Sequence, residues 1–301
     1  MKIYRYLFIF LFTFLVSGKL YADKYQPHKI GDKFEGYIDV GKGKYRIPLP
    51  EGKFELTVTH KQREKNTGTS IYSLLLVQQD GNTFKKIVNL RFSRPINTWW
   101  NTPKTCKRTN MFFIEKYVKG KTYNCWFINH HGLEFTSNKI KPNSYAGKIR
   151  DYYINSNIIK PSFSIYSGHL YASPRHKNVF FRVEYYVNPV KEGMPDVKKT
   201  QWKFSDYNIT NIKKFPKKKK YLEEYVQRTA VFQKLLEENL GIRPEHKLNT
   251  SKYISQNIEK KKPKEKQGKS ITNELLKLNK LLKSGAITQD EFKKAKAKLL
   301  N

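Results

Sequence analysis

Cysteine is almost absent from this chain, because its 301 residues contain only Cys106 and Cys125. Two sulfurs without a clear histidine partner do not complete the tetrahedral ligand set of a zinc site. In an oxidising compartment an isolated pair of this kind forms a disulfide. Closing a loop of about 20 residues contributes roughly 3 kcal/mol in the chain-entropy model. We therefore predict a disulfide between Cys106 and Cys125.

Acidic residues are also scarce, with 25 Asp and Glu against 59 Lys and Arg and a formal net charge of +34. Most of the positive charge is lysine, and it is spread along the chain. Arginine, which suits forked phosphate contacts, is uncommon. The abundance of Lys, Asn, Ile, Tyr and Phe is typical of an AT-rich coding sequence. We do not expect nucleic acid as a partner, although the charge favours an anionic envelope surface. Binding to a polyanion is left open as an alternative function.

Long apolar runs are missing apart from Tyr6 to Val16, which follows Lys2 and Arg5. This run is shorter than the roughly 20 residues needed to span a bilayer. Its pattern predicts a secretory signal over residues 1–22, cleaved after Ala22, and hence a bacterial protein that is periplasmic or secreted. The alternative is an uncleaved N-terminal anchor.

Several catalytic motifs are absent as well. The chain has no GxSxG nucleophile elbow, no HExxH zinc helix and no complete GxxxxGK[ST] phosphate loop. We predict no catalytic residues, cofactor or metal, and leave open an unfamiliar enzyme site near His130 and His131. Neighbouring residues on one strand point to opposite faces, so both histidines could serve one site only through a bulge.

Residues 23–215 contain many short runs of aromatic and β-branched residues separated by turn formers, which predicts an antiparallel β-rich body. Asp80-Gly81 lies between two such runs and predicts a hairpin. The alternation in FELTVTH predicts that Phe54, Leu56 and Val58 share one buried face. Further strands are predicted at the ranges 34–40, 44–50, 70–79, 84–92, 123–131, 162–172 and 178–187.

In the last of these strands, Phe181, Val183, Tyr185 and Val187 form the predicted buried face. Phe180, Arg182, Glu184 and Tyr186 form the other face.

The range 216–241 has the pattern of an amphipathic helix that packs on the body. Pro216 suits its first turn and Gly241 suits the position just beyond its end. Apolar residues thin out over 242–270 while lysines accumulate, which predicts a basic flexible linker.

The range 271–300 predicts two short helices that form a hairpin. Gly285 ends the first helix, and Thr288 caps the second with Glu291 three residues later. Apolar residues recur at helical spacing and define an association face: Leu275, Leu278, Leu282, Ile287, Phe292 and Leu299. A unit of about 30 residues seldom supports its own core. This face is therefore expected to meet another copy, the body or a different protein.

The segment LLKLNKLLKSGAITQDEFKKAKAKLL resembles the SHOCT family, a short C-terminal domain appended to many unrelated bacterial proteins. The resemblance rests on the leucine-rich first helix, the turn around Gly285, Glu291-Phe292 and the closing Lys298-Leu299-Leu300. It implies a helical hairpin for oligomerisation or partner contact, and transfers no function to the body. The predicted fold class is α+β: an antiparallel β-rich body, a closing helix, a flexible linker and a C-terminal two-helix hairpin.

Overall fold

The computed structural model describes a β-rich body and one C-terminal helix. The described residues are 23–97, 100–132, 140–159, 162–174, 179–197, 201–254 and 288–300.

Eight strands form one sheet in which every neighbouring pair is antiparallel, in the order β1-β4-β5-β6-β10-β9-β8-β7. Strands β2 and β3 form a separate hairpin. The ten strands are β1 (Lys33–Phe34), β2 (Tyr37–Val40), β3 (Tyr45–Pro48), β4 (Phe54–Arg63), β5 (Ser70–Asp80), β6 (Thr83–Ser93), β7 (Phe113–Lys119), β8 (Thr122–Gly132), β9 (Phe163–Ala172) and β10 (Phe180–Val187). The predicted antiparallel β-rich body with a helix is confirmed.

The predicted hairpin at Asp80-Gly81 joins β5 to β6. Asp80 pairs with Thr83, and Gly81 has a φ of 58°. Glycine adopts this left-handed conformation without the strain that a Cβ would add.

The prediction that Phe54, Leu56 and Val58 share a face is wrong at Val58. Leu56 pairs with Leu76 but Val58 pairs with Leu75, so a β-bulge lies between the two residues. The extra residue turns Val58 to the opposite face of the sheet. Phe54 and Leu56 join one core cluster and Val58 joins another.

The described residues also contain three α-helices: α1 (Tyr145–Asn155), α2 (Pro216–Asn239) and α3 (Gln289–Leu300). Helix α2 packs on one face of the sheet, which we call the α2 face, together with the β2–β3 hairpin. Helix α1 packs on the other face, the α1 face, over β4 to β6. The sheet is therefore buried on both sides.

Strand β7 was not predicted as a strand. It lies at the edge of the sheet and most of its side chains stay at least partly exposed. Charged residues such as Glu115 and Lys116 interrupt the apolar pattern there, which is typical of an edge strand.

The described part of the predicted linker packs on the body. Ile242 and Leu248 are buried, and short 3-10 turns lie at Pro244–His246 and Thr250–Tyr253. Lys252 and Tyr253 both donate to Glu115 on β7, at 3.0 and 2.6 Å. Any flexible linker therefore starts after Ile254, and the range 255–270 lies outside the described residues.

A buried carboxylate holds this returning segment in place. Glu237 of α2 is 2 % exposed, and its Oε1 accepts hydrogen bonds from Asn124 Nδ2 at 2.6 Å and from the Leu248 backbone N–H at 3.0 Å. Burial raises the pKa of Glu237, while these hydrogen bonds act against the rise. One side chain thus joins α2, β8 and the segment after α2.

We expect Glu237→Ala to lower the free energy of unfolding by about 2 to 3 kcal/mol, because the Asn124 amide and Leu248 N–H lose their acceptor. Glu237→Gln is the matched control: it keeps an oxygen acceptor and removes the buried charge. Its cost at neutral pH should stay below about 1 kcal/mol. Urea unfolding of both variants measures the difference.

The two variants also predict a pH dependence. Because the folded-state pKa of Glu237 lies above its ordinary value of 4.5, the folded state binds the proton more readily. The stability of the wild type therefore falls as pH rises through the interval between these two pKa values. Glu237→Gln should lack that slope. Equal losses in Glu237→Gln and Glu237→Ala would contradict this interpretation of the site.

Candidate functional site: a polar cavity on the α1 face

A cavity of about 250 Å³ lies between α1 and the middle strands of the sheet, on the α1 face. Apolar side chains from β5, β6 and α1 form part of its wall. The polar side chains that line it are Asn89, Arg91, His131, Tyr145, Tyr153, Tyr166, Arg182, Glu184 and Tyr186.

Glu184 is the buried acid of this cavity, with 1 % of its surface exposed. Its Oε1 accepts from Arg182 Nε at 2.9 Å and also from Arg182 Nη2. Its Oε2 accepts from Asn89 Nδ2 at 2.9 Å and from the Tyr186 hydroxyl at 3.1 Å. Both carboxylate oxygens are thus satisfied, and the charge is paired with Arg182.

Helix α1 connects to this network through Tyr145. The Tyr145 hydroxyl donates to Asn89 Oδ1 at 2.9 Å, while the Asn89 amide donates to Glu184. The helix begins at Tyr145 because Ser144 caps it: Ser144 Oγ accepts from the Gly147 N–H at 3.1 Å. The cap therefore places the hydroxyl of Tyr145 over the sheet.

Arg91 differs from Arg182 in having no counterion in the described structure. The two arginines are directly paired across β6 and β10. Arg91 Nε is buried, and no described residue accepts a hydrogen bond from it. Burial lowers the pKa of Arg91 and the positive charge of Arg182 acts in the same direction, while Tyr145 and the charge of Glu184 act against this lowering. The guanidinium lies 5.9 Å from the ring centroid of Tyr145.

Aromatic rings complete the wall. Tyr166 and Tyr186 stack with their centroids 5.0 Å apart, and His131 meets the Tyr186 ring edge-on at 6.1 Å. Burial raises the pKa of Tyr145 and Tyr186 well above the ordinary value, so both hydroxyls stay protonated at neutral pH. They act only as neutral hydrogen-bonding groups.

His130 and His131 lie on opposite faces of β8. His131 lines the cavity, whereas His130 is buried on the α2 face. The His130 ring stacks on Trp202 at 5.0 Å, and its Nε2 lies 3.3 Å from the Trp202 carbonyl oxygen. Burial lowers the pKa of His130 to about 4, so the ring is neutral at physiological pH. The two histidines do not form a joint site.

The predicted disulfide between Cys106 and Cys125 is confirmed. Both cysteines are buried, and they lie in a core cluster with Met111, Tyr123 and Phe127 on the α1 face. The bond ties the loop before β7 to the middle of β8. The disulfide therefore holds this loop against the α1 face of β8.

Among the C-terminal residues assigned to the hairpin, the structure describes those from Thr288 onward. The Thr288 N–H and hydroxyl both donate to Glu291 Oε2, at 2.8 and 2.9 Å, and the Glu291 N–H donates to Thr288 Oγ1 at 3.3 Å. These are the hydrogen bonds of a capping box. Phe292 is half-buried on α3. Leu275, Leu278, Leu282, Gly285 and Ile287 lie outside the described residues, as does the side-chain placement of Leu299.

Neither a membrane-spanning helix nor a cluster of metal ligands is present in the described ranges. No helix in these ranges is both long and apolar enough to span a bilayer. Nor does this part of the chain bring three potential metal-ligating side chains together.

Comparison with known families identifies the end of the chain. Residues 273–300 match the family model of the short C-terminal domain, SHOCT, which confirms the resemblance found in the sequence. The remainder of the chain matches no family model. No curated protein matches the chain, and no solved structure does.

Apart from His131, at which the sequence left an enzyme site open, the cavity residues were not predicted as a site. Arg182, Glu184 and Tyr186 alternate with apolar residues along β10, which is also the pattern of a solvent-facing strand surface. Asn89 and Glu184 are 95 residues apart in sequence, and only the strand register brings them together.

We expect Glu184→Ala to lower the free energy of unfolding by about 2 to 3 kcal/mol, because the partly buried guanidinium of Arg182 loses its counterion and Asn89 and Tyr186 lose their acceptor. Adding Arg182→Met to Glu184→Ala should recover part of this loss, since neither charge is then present. Urea unfolding of the single and double variants tests the pair. A double variant less stable than Glu184→Ala would contradict the interpretation that Arg182 and Glu184 neutralise each other's charge.

Proposed function

We propose that this chain is an exported, non-catalytic protein of a bacterial envelope, and that its C-terminal hairpin mediates self-association or binding to a partner protein. The match of residues 273–300 to the short C-terminal domain carries this proposal. Such a unit is too small to bury its own apolar face, so it needs a second surface.

Export is supported by three features. Residues 1–22 have the charge and apolar pattern of a secretory signal. The buried disulfide suits an oxidising compartment. Asp23, the residue that follows the proposed cleavage, is held by the body: its carboxylate accepts from Lys61 Nζ and the Tyr72 hydroxyl at 2.8 Å each, and from Arg94 Nη2 at 2.9 Å.

We expect protein recovered from an expressing bacterium to begin at Asp23. Intact-mass measurement and N-terminal sequencing of the envelope fraction test this. Ala22→Arg should block processing, because signal peptidases require a small residue before the cleaved bond. Lys24→Arg is the control and should be processed normally. Full-length chain confined to the cytoplasm would exclude export.

Association is supported by the chemistry of the terminal segment. The capping box from Thr288 to Glu291 favours helix formation at the start of α3, where Glu291 also offsets the positive end of the helix dipole. The proposed association face is the set of apolar positions on both helices, including Leu278, Leu282 and Phe292. We propose that these residues meet a second copy or another protein.

Removing residues 271–301 should lower the molar mass measured by light scattering, because the association face is lost. Leu278→Asp combined with Leu282→Asp should have the same effect by placing charges on that face. Lys294→Asp, at an exposed position of α3, is the control and should leave the mass unchanged. An unchanged mass after the deletion would exclude self-association, and capture of a partner protein would then be the remaining test.

The two alternatives are less well supported. The enzyme hypothesis places an unfamiliar site near His130 and His131, and the two side chains lie on opposite faces of β8, so they do not act together. Polyanion binding rests on the net charge of +34 alone.

A further inference from the structure

We propose that the polar cavity on the α1 face binds a small organic monocarboxylate. The carboxylate of the ligand pairs with Arg91, and its apolar part packs against the apolar and tyrosine side chains that line the cavity. This ligand site is independent of export and of association through the C-terminal hairpin.

The charges around the cavity leave one cation uncompensated. Arg182 is paired with Glu184, whose two oxygens are already occupied by four donors. The pKa of Arg182 is raised, and the negative charge of Glu184 is the largest cause of this rise. Arg91 has no carboxylate partner among the described residues. The described cavity therefore carries a net charge close to +1, which a monoanion neutralises.

The N–H groups of the Arg91 guanidinium also favour an anionic ligand. A buried donor without an acceptor is costly, and Arg91 Nε is such a donor within the described structure. A guanidinium presents its N–H groups as a planar fork that matches the two oxygens of a carboxylate. Glu184 is not free to supply that acceptor, because its carboxylate is held by Arg182, Asn89 and Tyr186.

The remaining walls define the rest of the ligand. Leu75, Ile87 and Ile149 are apolar, and Tyr145 and Tyr186 present ring surface. The volume of about 250 Å³ falls just below the range of roughly 300 to 1,000 Å³ that is typical of small-molecule pockets. The ligand is therefore small, with one anionic end and an apolar or aromatic body.

Isothermal titration calorimetry of the purified protein with benzoate, benzamide and phenyl phosphate tests the proposal. Benzamide has the shape of benzoate without the charge, and phenyl phosphate carries a larger charge. We expect benzoate to bind more tightly than either. Arg91→Gln should weaken benzoate binding about tenfold or more and leave benzamide binding unchanged.

Two further variants keep the test decisive. Arg63→Gln, at an exposed arginine at the end of β4, is the charge-matched control and should bind benzoate normally. Ala146→Phe, at an exposed position of α1 that lines the cavity, should block binding while Arg91 is retained. It therefore tests the site even if Arg91→Gln fails to fold.

Three outcomes would overturn the proposal. The first is benzoate binding no tighter than benzamide, including the case in which neither binds. The second is normal benzoate binding by both Arg91→Gln and Ala146→Phe. The third is tighter binding of phenyl phosphate, which would replace the carboxylate by a phosphoryl group and contradict the charge count. None of these results depends on the oligomeric state or on signal cleavage.

Discussion

Burial of both faces of the central sheet is the constraint on which the rest of the structure depends. In a sheet with one solvated face, the side chains on that face point to water. In this sheet both faces are covered, by α1, by α2 or by the loop that contains Cys106. Polar groups in such positions must find partners, since an unsatisfied buried group is costly. Glu237 on the α2 face and Glu184 on the α1 face each do so with several hydrogen bonds. Arg91 Nε is one of the buried polar atoms for which the described structure supplies no hydrogen-bond partner, and it belongs to a charged group.

Much of the fold was predictable because its signals are local. Alternation and turn residues predicted most strands, and Pro216 and Gly241 lie at the start of α2 and just beyond its end. The misses arise where tertiary contacts override local pattern. The bulge before Val58 is set by pairing with β5. The residues after Gly241 are ordered by buried Glu237 and by Glu115, which is 137 residues from Lys252 in sequence.

The cavity was less predictable than the fold, for a physical reason. A strand with alternating polar residues has the same sequence pattern whether its polar side faces water or an enclosed cavity. Arg182 and Glu184 therefore carried no distinguishing local signal. Their role depends on α1 covering that face and on the register that sets Arg91 opposite Arg182. By contrast, the disulfide was predictable because two cysteines offer one intramolecular pairing.

The two ends of the body lie at different edges of the sheet. Asp23 is attached to β4 and β5 through Lys61 and Tyr72, whereas Tyr253 is attached to β7 through Glu115. From β5 to β7 the strand order includes five inter-strand spacings, which amounts to about 24 Å. A mechanical load applied between Asp23 and Tyr253 would therefore act across the strands, along the inter-strand hydrogen bonds. Helix α2 packs against both core clusters of the α2 face, so it would oppose the separation of neighbouring strands under such a load.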